Sequence, residues 1–460
     1  MHYDVVIIGA GMSALAAGIR LAYFDKSVCI VERHYAWGGL NSYYTLDGRA
    51  YDVGLHAVTN YVPPGVRQTP LPRVLRQLRL TRKDFDLCEQ RFSEIVFPAC
   101  RLRFDNNPEL LIEEVARWFP NDVDGLRRVF EIVRAYGYDP KETGRSAREF
   151  LARHIKDPML IEMILCPVMY YGSPTEHDLD FGCFAILFQS IFCEGFARPR
   201  DGVRRIIKAL VKQFRAQGGK FKMNCGVERI NTDAGRVTSL ILDNGETISA
   251  DLVFSSAGFH ETMRLCSDVQ ERADAAPPGR LSFVESISVL ERRPADLGLD
   301  ATIIFFNDSD RFTYARPEGL IDLRSGVICC PNNYDRHEDL PEGIVRVTVL
   351  ADYDCWARLS EEPYAAAKQD AYQRMVDRAA RFMPGLQRHT VAKDVFTPKT
   401  IEKYTGHVGG AVYGAPERHP DGTTHLENLF LCGTDQGLVG IMGALLSGIV
   451  MANRHGLGME

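Results

Sequence analysis

The stretch that most limits what this chain can become is its N-terminus. Val5-Val6-Ile7-Ile8 is an apolar run with the length and composition of a strand buried on both faces of a parallel sheet. It breaks at Gly9-Ala10-Gly11-Met12-Ser13-Ala14, a GxGxxA turn. The first glycine allows the tight turn, the second lets a pyrophosphate approach the backbone, and the small Ala14 lets the following helix pack closely on the strand. Ala14, Ala17, Gly18 and Leu21 then recur at helical spacing and give that helix a face of mostly small side chains. Ser27 to Val31 reads as the second strand. Glu32 stands at its end, about 20 residues past the glycines, where a carboxylate accepts ribose hydroxyls. Strand, turn, helix, strand and acid in this order predict a βαβ nucleotide site with phosphate on the helix N-terminus. The acid disfavours a 2′-phosphate, and with it NADP.

At 460 residues and 45% hydrophobic, the chain has enough apolar material for two domains or one large domain with an insertion. A net charge of −6, with no basic tail, argues against nucleic acid as a partner. The twelve cysteines form no CxxC and no compact framework, so neither a metal site nor disulfides are predicted, and reduced thiols in the cytoplasm fit best. The N-terminal apolar run lacks the flanks of a signal peptide: Asp4 precedes it, Arg20 follows, and no cleavage region comes after. No other stretch supplies about 20 uninterrupted apolar residues, so no spanning helix is predicted.

Beyond the acid, the sequence reads Glu32-Arg33-His34-Tyr35-Ala36-Trp37-Gly38-Gly39 and then Asp52-Val53-Gly54-Leu55-His56. NAD needs only the βαβ unit, whereas FAD must also be held along its ribityl chain and ring. Gly38-Gly39, lacking Cβ atoms, offers a second close backbone approach, with a solvent turn as the alternative. The two motifs resemble the E-x-H-x-x-x-G-G and D-x-G-x-H stretches of the FAD-dependent amine oxidase and phytoene desaturase superfamily. They are closest to its branch of carotenoid isomerases and retinol saturases.

The resemblance implies an α/β fold: a Rossmann-type FAD-binding domain with a parallel sheet, plus an inserted α+β substrate domain. Gly9, Gly11, Ser13 and Ala14 are then FAD residues, Glu32 binds the adenosine ribose with Arg33 beside it, Gly38 and Gly39 lie against the cofactor, and His56 reaches the flavin region. Arg198-Pro199-Arg200-Asp201-Gly202-Val203 is similar to the family's P-x-G-G-helix element, with Asp201 in place of the first glycine. Gly226 to Ile230 looks like the strand whose valine, here Val227, pairs with adenine, and Ala250 to Gly258 like the strand that returns to the nucleotide domain. Near the C-terminus Phe396-Thr397-Pro398, Gly410 to Gly414, Asn428 to Asp435 and Gly440 to Gly448 follow in the family's order. Gly433, Asp435, Gly440, Ile441 and Met442 are carried over as cofactor residues, although Asp435 stands one residue later than the acid of many relatives. A helix opened by Gly440 aims N–H groups at the anionic edge of a reduced flavin.

On this reading residues 1–75, 196–265 and 395–460 form a discontinuous FAD-binding domain, and 76–195 with 266–394 a substrate domain. Asp243-Asn244-Gly245 predicts a type I′ hairpin. Ser146-Ala147-Arg148-Glu149 predicts a capped helix carrying Phe150 and Leu151, and a helix after Ser360 carries Ala371, Tyr372, Met375, Val376, Ala379 and Phe382. The apolar run from Met159 to Gly172 is buried or lines a greasy cavity. Leu71 to Lys83 reads as a basic amphipathic helix, either a solvated surface helix or a peripheral membrane contact.

No second GxGxxG marks a nicotinamide domain. The resemblance implies hydride exchange between flavin N5 and a carotenoid, isoprenoid or other large apolar small molecule, in desaturation, saturation or cis-trans isomerisation. His56, His407 and Tyr404 are the catalytic candidates, with Tyr413 near them in sequence, because histidine exchanges protons near neutrality. A hydrogen-bonded structural histidine and a turn residue are the alternatives for His56 and His407. The competing functions are an amine or amino-acid oxidase, which an aromatic cage of Tyr404 and Tyr413 would favour, and a non-catalytic lipid binder like the GDP-dissociation inhibitors.

Overall fold

The computed structural model describes residues 1–137, 144–268, 277–336 and 340–459. The domain ranges read from the sequence include positions outside these. The N-terminal pattern folds as β1 (His2–Ile8), α1 (Met12–Tyr23) and β2 (Val28–Glu32). β1 pairs in parallel with β2 on one side and with Thr247–Ser255 on the other, which buries Val5 to Ile8 from both faces. Lys220–Met223 continues the sheet in parallel beyond β2, and Leu429–Leu431 adds to Thr247–Ser255 in parallel. Val227–Asp233 and Arg236–Leu242 form an antiparallel ribbon at the other edge. The sheet is mixed, with a parallel centre.

α1 is clasped by Val203–Ala216 and Gly440–Met451. Missing side chains set the spacing: a Cβ on Gly18 would come 2.9 Å from the Phe214 ring, and one on Gly448 2.0 Å from the Ser13 carbonyl oxygen. Backbones this close leave no void between helices.

A second sheet runs in the order Thr390–Phe396, Ser282–Leu290, Gly343–Ala351, Ser325–Cys329, Ile303–Asn307, Ser93–Val96, Arg101–Phe104. Its pairs are antiparallel except Ile303–Asn307 with Ser93–Val96. Ser282–Leu290 and Ser325–Cys329 are buried along their whole length because both faces are covered. Glu361–Ala379 packs on one face through Ala371, Tyr372, Met375 and Val376, and Pro158–Gly172 packs on the other. Phe382, expected on the first of these helices, lies past its end and packs against Phe306. Ser146 caps Ala147–Ala152 as its motif predicts, accepting from the Glu149 N–H at 3.0 Å.

Two local expectations need correction. Asp243-Asn244-Gly245 joins antiparallel strands, but Gly245 has a positive φ and Asn244 does not. The Gly245 N–H donates to the Leu242 carbonyl at 2.8 Å and the Leu242 N–H to the Glu246 carbonyl at 2.9 Å. This is a type I turn closed by a left-handed glycine bulge rather than a type I′ turn. The basic helix is two pieces, Pro70–Gln77 and Arg82–Phe85, broken at Arg79 with φ +56°. Leu71, Val74, Leu75 and Leu78 are buried in the core they share with Gly440–Met451, so the apolar face is already covered. Arg79 lies over the Tyr23 ring and donates to its hydroxyl at 2.5 Å. Among the described residues no helix is long and apolar enough to cross a membrane.

Candidate active site

The segment from Glu32 to His56 is built onto the nucleotide turn. The Gly38 N–H donates to the Ala10 carbonyl at 2.9 Å, laying the paired glycines on the fingerprint. Gly38 and Gly39 hold φ at +109° and +57°, and a Cβ on Gly39 would touch the Gly11 Cα at 3.4 Å. Backbone meets backbone here, and L side chains disfavour both the conformation and the approach. Farther on, Asp52 accepts from the Val203 N–H at 3.0 Å, capping Val203–Ala216, and its other oxygen pairs with buried Arg198. Arg198 donates to the carbonyls of Leu55 and His56 at 2.6 and 2.9 Å. The D-x-G-x-H motif therefore hangs His56 from a helix cap and a buried arginine.

A cavity of about 1040 Å³ opens between the two sheets. Its volume reaches the upper end of the range for small-molecule sites, about 300–1,000 Å³. At the Glu32 end it is bordered by His34, the exposed Tyr35 and the half-exposed Tyr404, whose ring meets that of His34 at 5.3 Å. Its apolar and aromatic wall includes buried Tyr170, Phe283 and Val327 and half-buried Tyr171, Ile186 and Val412. Tyr413 packs edge-on against Phe283 and its hydroxyl donates to the Tyr170 carbonyl. Tyr404 and Tyr413 thus serve different parts of the cavity and form no joint cage.

Of the cofactor residues expected from the sequence, Glu32, Gly39, Gly440 and Ile441 line the cavity. Gly9, Gly11, Ser13 and Ala14 form the turn and packed helix behind Gly39, and Gly38 is buried against Ile207. Val227 opens its strand half-buried, outside the cavity lining. Arg33 donates to the carbonyls of Glu402 and Lys403 at 3.4 and 3.1 Å, where a cation suits a helix C-terminus. Gly433 donates to Ser447 Oγ at 2.6 Å, and Met442 is buried in the core. The buried Asp435 carboxylate accepts from the Phe259 and Ala415 N–H groups at 2.6 and 3.0 Å and ties loops together.

The two histidines differ. His56 Nε2 lies 2.9 Å from Thr348 Oγ1 and 3.4 Å from Glu285 Oε2. Burial pulls the His56 pKa down, and Arg346 and Arg198 add to this against the pull of Glu285. Burial would raise Glu285, but Arg346, with His56 beside it, holds the carboxyl at about 2. His407 Nδ1 sits 3.6 Å from Glu261 Oε1. Burial lowers this imidazole too, yet the Glu261 carboxylate outweighs it and the net shift is upward. Glu285, Thr348, Arg346, Arg198 and Glu261 escaped the sequence reading. The available signal was a charge in each of two apolar runs, Glu285 in SFVESISVL and Arg346 in GIVRVTVLA.

The residues present fit an extended dinucleotide. Glu32 accepts from the N–H groups of Ala10 and His34 at 2.7 and 2.8 Å, and each carboxylate oxygen keeps a further lone pair. His34 Nδ1 accepts from the Ala36 N–H at 3.2 Å, so Nε2 carries the proton, and it is buried without a partner. α1 and Gly440–Met451 both begin without a side-chain cap, leaving N–H groups for an anion. Residues 12–454 match the family model described as flavin containing amine oxidoreductase.

The chain belongs to the flavin-containing amine oxidoreductase family.

This amine oxidoreductase homologue is an FAD-dependent oxidoreductase. It is 23% identical to prolycopene isomerase 2, chloroplastic, from an Oncidium hybrid cultivar, over 98% of this chain and 84% of that protein. It is 21% identical to 4,4'-diaponeurosporene oxygenase from Staphylococcus aureus, over 94% of each chain. An oxidoreductase structure from Methanosarcina mazei shares the fold at a TM-score of 0.67 and 17% identity, covering 98% of this chain and 99% of that one. A putrescine oxidase variant does so at 0.65 and 17%, covering 99% of each.

Proposed function

We propose that this FAD-dependent oxidoreductase acts on carbon-carbon bonds of a carotenoid, an isoprenoid or another large apolar substrate. The observation that carries the proposal is the apolar and aromatic cavity wall of buried Tyr170, Phe283 and Val327 with half-buried Tyr171, Ile186 and Val412. Such a wall repays burial of a hydrocarbon at about 25 cal/mol per Å². The acids of the lining already have protein partners, Glu32 through the N–H groups of Ala10 and His34. Glu285 pairs with Arg346, Asp394 accepts from Tyr44, and Glu402 accepts from Tyr353. Relatives named for prolycopene and diaponeurosporene also favour a polyene over an amine.

When bound, FAD supplies hydride acceptance or donation at N5. In this reading Glu32 and the His34 Nε2–H hold the adenosine end, the starts of α1 and Gly440–Met451 face the anionic parts, and Gly39, Gly440 and Ile441 lie along the cofactor. His56 is the proton-exchanging group, and His407, whose basicity the Glu261 carboxylate raises, stands as a second polar group of the cavity. Tyr404 belongs to the adenosine end. The FAD-binding domain comprises 1–75, 196–265 and 395–460, which hold the first sheet, and the inserted substrate domain 76–195 and 266–394, which hold most of the second. Twelve free thiols suit a cytoplasmic setting.

Anaerobic mixing of the FAD-loaded protein with cis-configured polyenes and, separately, with primary amines tests the reading. A changed polyene by chromatography and an unperturbed flavin spectrum with amines is the expected result. Bleaching by amines with no polyene converted overturns it.

A further inference from the structure

The wall beneath the cavity carries a polar group that hydrocarbon binding does not need. Glu285 and Thr348 are direct partners across the antiparallel pair Ser282–Leu290 and Gly343–Ala351, and Arg346 lies two residues from Thr348 on the same face. Arg346 Nε donates to Glu285 Oε1 at 2.6 Å, and Arg346 Nη1 to the Leu55 carbonyl at 2.9 Å. Arg198 reaches the same carbonyl. The backbone beside His56 is thus fixed by buried arginines, and its ring is met by Thr348 and Glu285.

Hydrogen counting, with the Thr348 proton on the carboxylate side, points to one tautomer. Ionised Glu285 accepts only. The Thr348 hydroxyl has a single proton and donates it to Glu285 Oε2 at 3.3 Å. Toward His56 Nε2, 2.9 Å away, Thr348 Oγ1 can then only accept, so Nε2 carries the hydrogen. In a neutral imidazole the other nitrogen is a bare lone pair. Nδ1 has no hydrogen-bond partner among the described residues, and the ring lines the cavity.

We propose that Glu285 and Thr348 are positioning residues that hold His56 as the Nε2–H tautomer, presenting Nδ1 to the cavity as a proton acceptor. The inference rests on the polyene-oxidoreductase reading for what gives up the proton. Once hydride has left the neighbouring carbon for the flavin, a proton passes from the cationic substrate to Nδ1, the C–H electron pair becomes the new C=C bond, and the imidazolium keeps its Nε2–H toward Thr348 and Glu285. The same logic orients the histidine of a hydrolase triad, where a buried carboxylate sets tautomer and angle. The groups facing His56 are Glu285, Arg346 and Arg198, with Asp52 behind Arg198 and the Tyr334 hydroxyl and Cys329 thiol on the His56 carbonyl. Arg346 already neutralises Glu285, so resting His56 has no net negative charge to hold a proton. A neutral acceptor is what an acid-base step near neutrality requires.

Nitrogen-15 spectra of the histidine-labelled holoenzyme, with His56→Gln to assign the signal, test this without any substrate. The neutral Nε2–H tautomer is expected at neutral pH. Thr348→Val should give mixed tautomers, and Thr348→Ser should restore the single form. Glu285→Gln should lower kcat about tenfold or more with little change in KM, and shift the acidic limb of the pH–rate profile to lower pH. An Nδ1–H tautomer or an imidazolium in the unmodified protein overturns the proposal, as does an unchanged tautomer in Thr348→Val. The spectra hold or fail whatever the substrate proves to be, so they separate this inference from the polyene reading.

Discussion

His56 and His407 both line the cavity and each faces a glutamate, yet their basicities move in opposite directions. The difference lies one contact farther out. Glu285 is shared with Arg346, a cation that never gives up its proton, so its charge is spent before His56 draws on it. Among the described residues Glu261 has the Val408 N–H at 2.8 Å and His407 but no arginine pair, and its charge raises the basicity of the ring. Burial acts alike on both rings, and the neighbour's neighbour decides the sign.

The largest perturbation of this contrast is Arg346→Met. It leaves the Glu285 carboxylate buried without its cation, a loss of about 3–5 kcal/mol that denaturant unfolding will measure. In the fraction that stays folded, His56 should titrate higher, toward the behaviour of His407. An unchanged His56 titration would break the comparison. Glu261→Gln should cost less, about 1–3 kcal/mol, because glutamine still accepts from Val408 while the charge is lost. His407 should then titrate below the ordinary histidine value, read by the same NMR signals.

The pH dependence of stability sharpens the contrast with opposite signs. His56, lowered on folding, binds fewer protons folded than unfolded, so its contribution is complete above about pH 6.5 and declines as pH falls below that. His407, raised on folding, contributes fully below about pH 6.5 and loses that contribution as pH rises through its folded value. Each slope is limited to about 1.4 kcal/mol per pH unit. Melting curves of His56→Gln and His407→Gln across this window should each lack one limb. Tyr404→Phe should have the smallest effect, within about 0.5 kcal/mol, since the ring is half exposed at the edge of the cavity. A tenfold fall in kcat for that variant would move Tyr404 from the adenosine end to the chemistry.

The nucleotide half was legible because its signals are local. Gly9 to Ala14, Glu32 and Gly38-Gly39 act through backbone geometry within a single βαβ unit and its next turn, and spacing along the chain stands in for distance in space. The protein partners of Arg33 and Asp435 were not legible: a match by position says nothing of the helix end and the two loop N–H groups that their side chains meet. The hairpin erred for a related reason: Asn244-Gly245 permits a type I′ turn, but the Asp243 carboxylate holds the Gly226 N–H at 2.7 Å, and the loop closed by a glycine bulge instead.

By itself the sequence determined that a phosphate-binding turn exists, that an acid stands at the end of β2, and that His56 follows at a set interval. Those features depend on chain stiffness and steric freedom, which neighbouring residues specify. Only the tertiary structure decided in which direction each histidine's basicity moves. Glu285, Arg346 and Thr348 meet His56 through strand register, far from it along the chain, and charge interactions follow distance and burial in space.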